Sequence, residues 1–218
     1  MPLYRLDPAD IRFPDPNEAL TEPNGLLAIG GDLSPVRMLE GYRHGIFPWY
    51  SPDDPILWWS PDPRTVLFPD ELKIHRSLRK TLRHKPFEIR IDSDFVGTLD
   101  GCAAPRPGQQ GTWITPDMRQ AYQRLHSMGY ARSVECWQQG QLVGGLYGVR
   151  LGRIFFGESM FSRVSDASKI ALVALCHGAL DMIPAVIDCQ FSTAHLESLG
   201  ARPIPRAEFL RLLELYSA

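Results

Sequence analysis

The chain has 218 residues, 44% hydrophobic and 22% charged, enough apolar material for a packed core and too little charge for a disordered chain. A formal net charge of −2 excludes a globally basic nucleic-acid binder, so a phosphate-bearing partner must meet a local patch. Four scattered cysteines without a C-x-x-C pair, and six histidines without ligand spacing, exclude a disulfide scaffold and a structural zinc site.

The opening MPLYRLDPADIRFPDP lacks a basic segment followed by an apolar one, and no apolar run approaches the ~20 residues of a membrane helix. A cytoplasmic monomer without membrane contact is the expectation. Residues 1–64 are dense in proline and aromatics and allow only short elements. SPVRMLEGYRHG reads as one helix, capped by Ser34, begun by Pro35 and stopped by Gly45. IFPWYSPDDPILWWSPDPR resists regular structure, because prolines at 48, 52, 55, 61 and 63 remove backbone donors. A boundary near 64 is expected, dividing a small domain (1–64) from a larger one (65–218).

KIHRSLRKTLRHK (73–85) is helical by pattern. Ile74, Leu78 and Leu82 fall on one face, and Arg76, Arg79, Lys80 and Arg83 on the other, with no acid between them. Four such cations suit an ordinary wet surface or a phosphate-binding one. TPDMRQAYQRLHSMG (115–129) is a second amphipathic helix, capped by Thr115 and ended by Gly129. From 133 the period becomes two: SVECW, LVGGLYGVR and IFFGESMFS form a meander joined by Gly-bearing turns. A helix over SDASKIALVALCHGALDM, a strand AVIDCQF (185–191) and a helix PRAEFLRLLELY follow. The expected class is α/β, in the α+β form of a mixed sheet with helices against it.

Alternation along these strands places Phe156, Glu158 and Met160 on one face and Phe155, Gly157, Ser159 and Phe161 on the other. A carboxylate among such groups requires a partner or a ligand that supplies one. Arg153, Arg163 and Lys169 are candidate partners. Asp188 and Gln190 share a face and either join a site or sit solvated at a strand end; Cys189 points the other way, as a small hydrophobe or a thiol. Glycines 144, 145 and 148 mark close approach of a ligand or another backbone. Together these features predict an apolar pocket with a few fixed polar groups. The tryptophans at 49, 58 and 59 either staple the two domains or stack nucleobases.

EPNGLLAIGGDLSP, GIFPWY, ILWWSPDPR, GTWIT, LVGGLYGV, FFGESMFS, ASKIAL and IDCQ occur in this order. In this the chain resembles the bacterial leucyl/phenylalanyl-tRNA–protein transferases, from about residue 10 to about residue 206. The resemblance implies transfer of Leu or Phe, less well Met, from aminoacyl-tRNA to the α-amine of proteins beginning with Arg or Lys. Products so marked enter N-degron proteolysis. It implies a GNAT-like acyltransferase fold in the larger domain and no metal or nucleotide cofactor. It assigns Trp49 and Trp113 to the aminoacyl-adenosine site and Glu158 to the active-site carboxylate. Asp188 and Gln190 match a pair proposed to relay a proton. Leu146, Met160, Leu172, Leu175, Ala179 and Ile187 would line the amino-acid pocket, and Arg76, Arg79, Lys80 and Arg83 would hold the tRNA. Leu175 and Ala179 stand where the resemblance implies larger aromatics, so a roomier pocket is expected. Two rivals compete. A small-molecule N-acetyltransferase should show a pyrophosphate loop that SRVSDASK lacks, and a non-catalytic RNA binder needs neither the pocket nor Glu158.

Overall fold

A computed structural model describes residues 3–84, 87–105 and 112–218. Lys85 of the expected basic helix and Gly111 of GTWIT lie outside the described residues. Tyr4–Leu6 (β1) and Leu26–Gly30 (β2) pair in parallel; helix α1 (Pro35–Arg43), β3 (Phe47–Pro48) and β4 (Leu57–Trp59) follow. These strands make a four-stranded sheet of order β1-β2-β4-β3. Arg64–Leu67 (β5) belongs to a second, seven-stranded sheet. Helix α2 (Arg76–His84), β6 (Glu88–Ile91), α3 (Phe95–Ala103) and α4 (Pro116–Ser127) come next. The meander β7 (Ala131–Gln138), β8 (Gln141–Leu151) and β9 (Ile154–Ser162) leads to α5 (Ala167–Cys176) and β10 (Val186–Gln190). Helix α6 (Ala194–Ser198), β11 (Arg202–Ile204) and α7 (Arg206–Tyr216) end the chain. The large sheet runs β11-β5-β10-β9-β8-β7-β6, parallel only between β9 and β10.

The capped helices form where expected. Ser34 Oγ accepts from the Arg37 amide and Thr115 Oγ1 from the Met118 amide. In α4, Met118, Ala121, Tyr122 and Leu125 make the buried stripe of a 3.6-residue period. Helix α5 ends at Cys176, short of the expected stretch to Met182, because the chain turns at Gly178 with φ 90°. Leu82 is 38% exposed and leaves the apolar face to Leu78 and Ile74. Helix α3 escapes the sequence pattern because Gly97, Asp100 and Gly101 weaken its propensity. It is held instead by its cap, Asp94 Oδ1 on the Gly97 amide at 2.8 Å, and by burial of Phe95 and Leu99.

Two bulges shape the centre of the large sheet. Tyr147 pairs with Ser159 and Gly148 with Gly157, so Glu158 is an extra residue in β9. Asp188 pairs with Val66 and Gln190 with Thr65, so Cys189 is extra in β10. A bulge reverses alternation beyond it. Phe156 and Phe161 therefore share one core cluster, while Phe155 and Met160 share another, correcting the expected faces. The glycines of β8 make room for protein rather than ligand. A Cβ on Gly148 would strike the Phe156 carbonyl, and one on Gly144 would meet Ala167 Cβ at 2.5 Å. Pairing of β9 with β10 stops at Phe156–Asp188, and beyond that pair a cavity opens.

Candidate active site

The cavity has a volume of about 510 Å³, within the ordinary range of small-ligand sites. Leu146, Met160, Leu172, Leu175 and Ile187, five of the six predicted pocket residues, line it, together with Leu67 and Phe155. Leu172 and Leu175 come from one face of α5, whose start packs on the sheet through Ala167. Ala179 does not line the cavity. It follows the end of α5 and packs at the edge of the core behind the cavity wall. Trp113 lines the cavity, but Trp49 does not. Trp49 is 41% exposed and packs against Trp59 and Phe191, at ring distances of 5.6 and 5.5 Å. It is thus carried beside the cavity by Phe191, the neighbour of Gln190.

Glu158 lines the cavity and is 9% exposed. None of the three candidate cations meets it. Arg153 lies over Tyr216, Arg163 over Phe161, and Lys169 pairs with Asp166. Its partners are neutral. Tyr42 Oη donates to Oε1 at 2.7 Å and Tyr122 Oη to Oε2 at 2.6 Å. Gln190 Nε2 donates to Oε1 at 3.3 Å. Burial pushes the Glu158 carboxyl up to about 7, against the lowering effect of the two tyrosine hydrogen bonds. Nearby Asp188 raises it further and Arg64 lowers it. Burial, and then the charge of Glu158, hold the Tyr42, Tyr122 and Tyr147 hydroxyls well above their ordinary value, so the first two keep the protons they donate to Glu158.

Asp188 is fully buried and does not line the cavity, nor is it solvated at a strand end. Its Oδ1 accepts from Arg64 Nε at 2.8 Å and from the Gln190 amide at 3.0 Å, and its Oδ2 from Arg64 Nη2 at 2.7 Å. Cys189 lines the cavity with Ile187, opposite Asp188 as expected, and the bulge brings Gln190 to that same side, correcting the expectation that Asp188 and Gln190 share a face. Burial, and then the adjacent Asp188, push the Cys189 thiol well above the ordinary cysteine value, which disfavours the thiolate. Thr193, His195 and Leu196 complete the wall.

The basic helix keeps its charge in the open. Arg76, Arg79, Lys80 and Arg83 are exposed, and among the described residues none of them forms an ion pair. Thr81 Oγ1 fastens the helix to Asp166, at the start of α5, at 2.9 Å. Among the described residues no group of His, Cys, Asp and Glu is placed to hold a metal ion, and no helix is long and apolar enough to cross a membrane.

Sequence reasoning missed Tyr42, Tyr122 and Arg64. The tyrosines occupy buried positions of predicted helices, which marked them only as core. Nothing local pairs position 42 or 122 with 158.

A family model described as leucyl/phenylalanyl-tRNA protein transferase matches residues 66–214, and that of the same family's N-terminal domain matches 31–62. The chain is 59% identical to a leucyl/phenylalanyl-tRNA–protein transferase of Stutzerimonas stutzeri (strain A1501), over 95% of this chain and 92% of the relative. It is 60% identical to the one of Nitrosospira multiformis, over 94% and 89% of the two chains. Among solved structures, a GCN5-related N-acetyltransferase from Kribbella flavida aligns at 10% identity with a TM-score of 0.38, over 74% of this chain and 58% of that one. The family models and the relatives agree across both parts of the sequence, and the chain belongs to the leucyl/phenylalanyl-tRNA–protein transferase family.

Proposed function

We propose that this chain moves Leu or Phe, and less well Met, from aminoacyl-tRNA to the α-amine of proteins whose first residue is Arg or Lys. The observation that carries the reading is a buried acid, held by two tyrosine hydroxyls, on the wall of an apolar cavity. The cavity takes the donated side chain between Leu146, Met160, Leu172, Leu175 and Ile187. Trp113 supplies an aromatic face for the terminal adenosine, with Trp49 at the rim. The exposed cations of α2 hold tRNA phosphates, a contact that carries no base information. Residues 1–64 and 65–218 act as two domains of one site, since Tyr42 from the first reaches Glu158 in the second.

The donor is an activated ester, so the reaction needs no nucleotide. A peptide α-amine has a reference pKa of about 7.7–8.0, so a useful fraction is neutral near pH 7. The amine nitrogen attacks the ester carbonyl, the carbon–oxygen bond to ribose breaks, and one proton passes from nitrogen to the ribose oxygen. Glu158, with both protonation states populated at pH 7, takes that proton and returns it. With Gln190 Nε2 directed to Glu158, the amide oxygen of Gln190 is left to accept from the amine and align it. Asp188 serves the same end by holding Gln190. Its oxygens are occupied by Arg64 and a backbone amide, which argues against its expected part as a proton carrier.

The test mixes the protein with Phe-tRNA and two peptides, one beginning with Arg and one with Ala. Transfer to the Arg peptide alone is expected. Binding of Phe-tRNA without transfer to either peptide would instead favour a non-catalytic RNA-binding protein.

A further inference from the structure

We propose that Arg64 is a positioning residue for the transfer reaction, setting the Gln190 amide against Glu158 through Asp188. The inference rests on the transfer reading above. Arg64 is fully buried at the start of β5. Its guanidinium lies between two rings, 4.7 Å from Phe47 and 4.7 Å from Phe209. The guanidinium makes three hydrogen bonds to two groups. Nη1 reaches the Gly45 carbonyl at 3.0 Å, while Nε and Nη2 take the two oxygens of Asp188 at 2.8 and 2.7 Å. Only a planar fork satisfies this set; an ammonium is a point donor on a flexible stem.

What the fork holds is strained. Gln190 has φ 62°, a left-handed conformation that a residue with a side chain rarely adopts. Such a conformation persists only where its surroundings over-determine it, and such places concentrate at functional sites. Here the determinant is visible. The Gln190 amide donates to Asp188 Oδ1 at 3.0 Å, the same oxygen that Arg64 Nε fixes. The bulge at Cys189 and this bond together turn the Gln190 side chain into the cavity, where Nε2 reaches Glu158 Oε1 at 3.3 Å. Arg64 does not line the cavity. It ties β5, the turn after α1, the ring of Phe47 in β3 and the ring of Phe209 in α7 to the placement of one amide group.

Steady-state transfer of Phe from Phe-tRNA to an Arg-initiated peptide is measured for the wild type, Arg64→Lys and Phe209→Leu. Leu215→Ala, at a residue 70% exposed on the same helix as Phe209, is the control. Arg64→Lys is expected to lower kcat roughly 10–100-fold while KM for Phe-tRNA stays within about threefold. Phe209→Leu falls between that variant and the wild type, and the control is unchanged. The side-chain amide resonance of Gln190 in 15N-labelled protein reports its placement without any turnover. It moves in Arg64→Lys and Phe209→Leu and stays in the control. Wild-type kcat in Arg64→Lys, or equal losses of kcat and Phe-tRNA affinity, overturns the proposal. If Arg64→Lys does not fold, Phe209→Leu decides in the same way, since it removes one aromatic face and leaves the ion pair. A wild-type protein that transfers nothing sinks the transfer reading instead. The Gln190 resonance then decides alone whether Arg64 places that amide.

Discussion

Two carboxylates lie side by side in the large sheet, and their surroundings give them opposite work. Glu158 is met by neutral donors, two tyrosine hydroxyls and an amide, and its carboxyl is pushed up to about 7 by burial. Asp188 is met by a guanidinium on both oxygens and has no opening to the cavity. Donors without charge leave an acid able to gain and lose a proton near neutrality. A bidentate guanidinium converts an acid into a fixed strut. Chemical type does not separate the two; the charge of the partners does.

The comparison can be broken first at the ion pair. Arg64→Met leaves Asp188 buried without its counter-charge and should cost about 3–5 kcal/mol of stability, read as a shift in the denaturant midpoint. A loss under 1 kcal/mol would show that Asp188 does not depend on Arg64.

The second test uses pH. A carboxyl with a folded value of about 7, above its ordinary 4.5, keeps its proton longer in the folded state. Its contribution to stability is complete below pH 4.5 and is lost as pH rises through 7. Chemical denaturation at pH 5 and pH 8 should show a fall of about 2.5 kcal/mol attributable to Glu158, absent in Glu158→Gln. The same variant should lower kcat for Phe transfer roughly 100-fold at pH 7, with little change in KM for Phe-tRNA.

Two smaller effects sharpen the contrast between the site and its approach. Replacing Arg76, Arg79, Lys80 and Arg83 by Gln should weaken Phe-tRNA binding about tenfold and reduce its salt slope, while transfer from a short aminoacyl-nucleotide donor is unaffected. An unchanged slope would remove α2 from the RNA path. Leu175→Phe narrows the cavity wall and should favour Leu over Phe by about 1 kcal/mol, measured as the ratio of the two kcat/KM values.

Much of this was legible before the fold. Alternation in IFFGESMFS exposed Glu158 as an acid without local support, and the capping pairs Ser34–Pro35 and Thr115–Pro116 marked where α1 and α4 begin. Five of six pocket residues stood out through the family resemblance and do line the cavity. The bulges at Glu158 and Cys189 were not legible, because an inserted residue changes register without changing composition. That is why the faces of Phe156, Met160 and Gln190 were misassigned. Tyr42, Tyr122 and Arg64 join positions 36 to 124 residues away, and such pairings are settled by packing, to which local periodicity is blind. Ala179 failed for a nearer reason. Gly178 ends the helical phase that would have carried it to the wall.

The contrast between the two acids is tested most directly by titrating the Glu158 carboxyl carbon in 13C-labelled protein, assigned by its disappearance in Glu158→Gln. The account predicts a midpoint of about 7, moving higher in Tyr122→Phe as one lowering hydrogen bond is lost. A midpoint near the ordinary glutamate value of 4.5 would contradict it.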